Sequence, residues 1–196
     1  MEIGRLAARA VIGGLFVGHG TQKLFGWFGG PGMQGTEQMM GALEMRPTRV
    51  NAIAAGVSET AGGVLLMAGA ATPLAASALI GTMITAIRKV HQPNGPWAAQ
   101  GGWEYNAVLI SALTALVDAG PGDLSLDAVA GREQWGPGWA VAGLALGAAA
   151  STAAIALGRR GSGPAGASAS PAGETGDVAA ATEGETAGDP VTTGSS

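Results

Sequence analysis

Glu59 is the only charged residue between Val50 and Ile87. A carboxylate buried without a partner costs several kcal/mol. One held near the centre of a bilayer is costly enough to mark a candidate functional site. The apolar stretch around it breaks at Ala71-Thr72-Pro73 into two pieces of helix length. Each is close to what roughly 30 Å of hydrocarbon demands. The sequence therefore predicts a membrane protein with a carboxylate near mid-membrane.

The rest of the composition agrees. Charged residues make up 12% of the 196, against about 25% in ordinary soluble domains. The chain is long enough for one domain. It contains no cysteine, which excludes disulfides, iron–sulfur ligation and thiolate chemistry within it. No basic stripe points to nucleic acid. Arg5 and Arg9 precede an apolar run, as in a signal peptide. No A-x-A site follows, and Lys23 with a Trp/Phe/Gly cluster comes next, so the segment reads as a retained first membrane helix.

Five apolar segments can be drawn: about Leu6 to Phe25, Val50 to Ala70, Pro73 to Val90, Glu104 to Ala119 and Gly138 to Gly158. A soluble helical bundle is the alternative, but it would show polar faces at helical spacing. The second, third and fifth segments are apolar or small all round. Gly14–Gly18 and Gly143–Gly147 have the spacing that lets helices approach closely in lipid. All five tryptophans fall at segment ends, as an aromatic belt would. The expected fold is all-α: a transmembrane four-helix core over residues 1–127, an amphipathic linker and fifth transmembrane helix over 128–160, and a disordered Gly/Ser/Ala/acidic tail over 161–196. That tail cannot bury enough apolar surface to offset its ordering entropy. With five spans, Arg46, Arg49, Arg88, Lys89, Arg159 and Arg160 share one side, against Arg5, Arg9 and Arg132 on the other. The Lys/Arg bias predicts the N-terminus outside and the C-terminal tail in the cytoplasm.

Depth arithmetic gathers the polar side chains. At about 1.5 Å per residue, His19 and Glu59 sit at similar depth on one side of the bundle. His19, Gln22 and Lys23 share a helix face by spacing. Arg88 and His91 end the third segment on that side, and Glu104 and Asn106 begin the fourth. The spacing predicts one polar cavity lined by His19, Lys23, Glu59, Arg88 and Glu104. His19, Lys23 and Glu59 are the catalytic candidates; Gln22, Arg88, His91, Glu104 and Asn106 are substrate-binding candidates. Each also has a structural reading. Glu59 reads as well as a structural ion pair with Lys23 or Arg88 as it does as a site residue, and less well as an unpaired protonated acid. His19 reads as a packing hydrogen-bonder, His91 as an interfacial loop histidine, and Arg88-Lys89 as a snorkelling anchor. A bis-histidine haem fits by count only. No metal-ligand spacing, phosphate loop or Ser-His-Asp arrangement is present.

These residues, taken in order, resemble the DoxX family of small bacterial membrane proteins. The resemblance runs from Arg5 to Asp127. It includes Arg9, Gly18-His19-Gly20, Lys23-Leu24-Phe25-Gly26, Ser58-Glu59-Thr60-Ala61-Gly62-Gly63 and Gly69-Ala70-Ala71-Thr72-Pro73-Leu74. Ala86, Arg88, His91, Glu104-Tyr105-Asn106, Gly120-Pro121-Gly122 and Ser125-Leu126-Asp127 complete it. It implies a four-helix transmembrane core in the bacterial cell membrane. It also implies work with a soluble or membrane redox partner, since some relatives are subunits of thiosulfate:quinone oxidoreductases. The expected reading is a quinone-linked or redox-stress-associated oxidoreductase subunit. Quinone would be a substrate, with no covalently bound cofactor and no metal. A non-catalytic scaffold or lipid-binding protein and a small transporter are the alternatives, and a homo-oligomer stays open.

Because the tail from Gly161 carries only acidic charge and no apolar face, truncation after Arg160 is expected to leave membrane insertion and extraction unchanged. Loss of the membrane-bound protein on expression of that truncation would contradict this.

Overall fold

The computed structural model describes residues 2–160, so the expectation of a disordered tail lies outside the described residues. The described chain is all-helical. Seven α-helices follow one another: α1 (Glu2–Phe25), α2 (Gly32–Ala42), α3 (Thr48–Ala68), α4 (Thr72–Ala86), α5 (Glu104–Ala119), α6 (Leu126–Val129) and α7 (Pro137–Arg160). The five apolar segments coincide with α1, α3, α4, α5 and α7. Three helical stretches are long and apolar enough to cross a membrane: Thr48–Ala68, Thr72–Asn94 and Pro137–Arg160. Of the other two long helices, α1 carries Glu2, Arg5, Arg9 and Lys23, and α5 has 16 residues.

The long helices alternate in direction. Arg5 at the start of α1 donates to the Ala119 carbonyl at the end of α5 (2.8 Å). At the opposite end, the Arg46 N–H donates to the Gly158 carbonyl of α7 (3.2 Å). The main core lies between α1, α3, α4 and α5, around Phe16, Leu66, Leu79, Ile80 and Leu113.

The most extensive helix pair is α1 with α3, and glycine permits it. A Cβ on Gly13 would lie 2.6 Å from the Gly63 carbonyl oxygen, and one on Gly20 would lie 2.6 Å from that of Gly56. Any side chain at these positions would push the backbones apart. The sequence reading chose the wrong pair on α1. Nothing lies within 4 Å of a Cβ at Gly14 or Gly18. The contact repeats every seven residues, not every four, because a heptad step keeps one stripe facing the partner. Gly147 on α7 does meet α4 closely, 3.0 Å from the Ser77 carbonyl.

At the end holding the α1 N-terminus, buried polar groups lock five elements together. Arg9 is 1% exposed. Its guanidinium donates to the carbonyls of Pro121 (2.7 Å) and Leu124 (2.6 Å). Asp127 on α6 accepts from the Ala71 and Thr72 N–H groups (2.7 and 2.9 Å) and from the Trp135 indole (3.1 Å). Its own N–H donates to Gly69 (2.8 Å). The residue before α4, Ala71, has no capping side chain and a positive φ of 45°. Asp127 therefore acts as a borrowed cap, placing negative charge where the helix dipole favours it.

Burial raises the Asp127 pKa, but hydrogen bonds from the Thr72 backbone, the Thr72 side chain, the Ala71 backbone and Trp135 outweigh it. The Thr72 hydroxyl has no hydrogen bond of standard geometry, so it acts there as a nearby dipole. The carboxyl is held below its ordinary 3.8. A lowered folded-state pKa stabilises above the ordinary value and is lost as pH falls through the folded one. Asp127→Asn should therefore lower thermal stability at neutral pH by about 1–3 kcal/mol. The gap to the native chain should narrow as detergent-solubilised protein is acidified below about pH 4. A gap independent of pH would refute the charged cap.

Candidate functional site

Lys23 lies in the last turn of α1, and Glu59 lies mid-way along α3. The close α1–α3 approach brings them together, and the Lys23 ammonium donates to Glu59 Oε2 in a hydrogen-bonded ion pair. The Glu59 side chain is 4% exposed and that of Lys23 is 21%. Both charges thus leave bulk water, and each offsets the other's desolvation. Helix α2 docks beside them. The Thr36 hydroxyl lies 3.1 Å from the Lys23 carbonyl near the end of α1 and 2.7 Å from its own Gly32 carbonyl.

The pair opens onto a cavity of about 420 Å³ between α1, α4 and α5. His19, Lys23, Glu59, His91, Tyr105 and Asn106 supply its polar lining, and Leu15, Phe16, Met83 and Leu109 line the apolar part. This volume is in the range of small-molecule pockets with a mainly apolar wall and a few converging polar groups. The segment from Gln92 to Trp103 covers one side through Ala98, Gly101 and Gly102.

His91 is held in place by that cover. Its Nδ1 lies 2.8 Å from the Gly101 carbonyl oxygen. A carbonyl only accepts, so Nδ1 carries the proton, and in the neutral ring Nε2 is left as an acceptor. His91 ends a π-helical turn, Ile87–His91, that extends α4. A widened turn re-aims side chains, and here it separates His91 from Arg88.

Five of the eight candidate residues therefore line the cavity: His19, Lys23, Glu59, His91 and Asn106. The other three do not. Arg88 turns to α7, donating to Thr152 (3.1 Å) and, more weakly, Ser151 (3.4 Å). Glu104 accepts from the Ala98 N–H (2.8 Å) and pins the covering segment. Gln22 packs against the backbone turn at Gly30. The expected cavity of His19, Lys23, Glu59, Arg88 and Glu104 thus keeps the first three but has His91, Tyr105 and Asn106 in place of Arg88 and Glu104, because depth along a helix does not fix rotation about it. Tyr105 lines the cavity without being among the candidates, and its place next to Asn106 at the start of α5 is the signal that points to it. No group of three or more metal-ligating side chains forms among the described residues.

A second cavity, of about 510 Å³, lies on the other face of the pair between α2, α3, α4 and α7. Lys23, Glu59, Ala86 and His91 line both. The ion pair is thus a partition between two spaces.

Residues 4–92 match the DoxX family model. That segment of the chain belongs to the DoxX family, and the match takes in α1 to α4 with Lys23, Glu59 and His91. Neither a curated protein nor a solved structure matches the chain.

Proposed function

We propose that this DoxX chain is an integral membrane subunit that binds a quinone and supports its reduction with electrons from a partner protein. The observation that carries the reading is the buried Lys23–Glu59 pair facing a 420 Å³ cavity that His19 and His91 also line. An apolar helix pair gains nothing from such a charge pair that well-packed apolar residues would not supply. A ligand that needs protons does gain from it.

Reduction of a quinone to a quinol takes two electrons and two protons. The electrons come from a reduced redox cofactor of the partner, and the protons come from this chain. His19 and the Lys23–Glu59 pair are the groups within the cavity able to donate and be recharged as general acids. Positive charge at Lys23 stabilises the negative charge that develops on a quinone oxygen. Tyr105 and Asn106 orient the head group, and the wall of Leu15 and Leu109 leads its apolar tail outward. Leu15 is 48% exposed on the outer face of α1, which suits a ligand arriving through lipid.

The same reading makes α1 and α5 membrane spans alongside the three long apolar helices, giving a four-helix core with α7 as a fifth span. Trp27, Trp97 and Trp103 mark one interface, and Trp135 and Trp139 the other. The Lys/Arg bias puts the Arg88–Lys89 end on the cytoplasmic side of a bacterial cell membrane.

A photoreactive azidoquinone is expected to label α1 and α5 residues of the purified full chain, and excess unlabelled quinone should suppress that labelling. Glu59→Gln should weaken labelling about tenfold, as expected for loss of one charge-assisted hydrogen bond. Labelling that competitor does not suppress would refute the site.

A further inference from the structure

The second cavity has a polar wall that helix packing does not explain. Ser58 on α3, Thr82 and Thr85 on α4, and Ser151 on α7 all line it. They connect in two pairs. The Ser58 and Thr82 hydroxyls lie 3.3 Å apart, and those of Thr85 and Ser151 lie 2.9 Å apart. Ser151 is in turn met by Arg88. Thr82 and Thr85 lie three residues apart on α4, and Lys89 in the π-helical turn beyond them lines the same cavity, so the three form one stripe. The stripe runs from beside Glu59 to the cationic end of the helix. Each threonine hydroxyl also bonds to the carbonyl four residues before it, at 3.1 and 2.8 Å. Their oxygens keep acceptor capacity toward the cavity. The opposite wall is apolar and includes Met39, Met40 and Met45.

We propose that this second cavity is a hydrated inlet that carries water and protons from the Arg88–Lys89 end of the bundle to Glu59. The inference rests on the quinone reading of the first cavity for its purpose, but its geometry is separate. At about 510 Å³ the space far exceeds the roughly 10–15 Å³ that one water needs. Waters there find polar partners along the stripe, as buried waters require. The two cavities divide the work. Ligand enters the first between α1 and α5, and protons enter the second between α3, α4 and α7. The Lys23–Glu59 pair and His91 face both, so a proton lost on one side is replaced from the other without opening the ligand site to water.

The chain has no cysteine, so single cysteines report access cleanly. The full chain would be reconstituted in phosphatidylcholine vesicles and treated with 2-sulfonatoethyl methanethiosulfonate, an impermeant reagent that needs a wet thiolate. Thr82→Cys and Thr85→Cys are expected to react at least tenfold faster than Val57→Cys, whose side chain faces outward from α3 at the same level. Reaction no faster than at Val57 would overturn the inlet. Reaction that appears only after delipidation in detergent would overturn it too, since an acyl chain then fills the space.

A second arm follows Glu59→Cys. Adding Thr85→Trp should slow its labelling at least tenfold, whereas Leu15→Trp at the mouth of the first cavity should not. An unchanged rate with Thr85→Trp would route access through the first cavity and overturn the inlet. Failure of decylubiquinone to bind the unsubstituted chain would count against the quinone reading while leaving the cysteine rates to decide the inlet.

Discussion

Two opposite charges held inside apolar helices are the constraint on which the rest of the molecule depends. Neither Lys23 nor Glu59 can be left there singly. Removing one partner of a buried pair commonly costs about 3–5 kcal/mol. The pair therefore fixes the depth of α1 against α3. Close approach of the two backbones then follows, and Gly13, Gly20, Gly56 and Gly63 leave the room for it. Once the pair is set, cavities on its two faces share it, and the chemistry of one becomes linked to access through the other.

The opposite end of the bundle does a different job with similar groups. Arg9 and Asp127 are as buried as the central pair, but most of the partners named above for them are backbone groups, the Trp135 indole being the exception. Arginine suits this because its fixed fork of donors reaches two carbonyls at once. Asp127 satisfies N–H groups that α4 cannot satisfy itself. Gly69 belongs to the same lock: a Cβ there would meet the Arg9 guanidinium and Ser125, and its φ of 61° already disfavours a side chain. That end thus ties the helices together, while the opposite end carries the two cavities.

Much of this was legible in the sequence, for physical reasons. Long runs without charge announce α3, α4 and α7, and a lone Glu59 in such a run announces a partner. Spacing along helices of known rise brought His19, Lys23, Glu59, His91 and Asn106 to one side of the bundle. Rotation was not legible, and so Arg88 and Glu104 were misplaced: the π turn at Ile87–His91 and the cover from Gln92 to Trp103 redirect them. Helix α2 was missed because Gly32, Gly35 and Gly41 dilute its helical pattern. The Arg9–Asp127 lock was missed for another reason. An arginine near a segment end reads as an interfacial anchor, and nothing local ties it to residues more than a hundred positions away.

The central claim is that the buried pair serves a ligand and not only the fold. The most direct test is a double-mutant cycle on Lys23→Met and Glu59→Gln, measuring thermal stability and quinone binding on the same samples. Each single change should destabilise, because it leaves one group unpaired. The double change should recover most of the stability, since two neutral side chains then face each other, while quinone binding stays lost. Recovery of binding together with stability in the double variant would show that the pair only holds the helices, and would contradict the account.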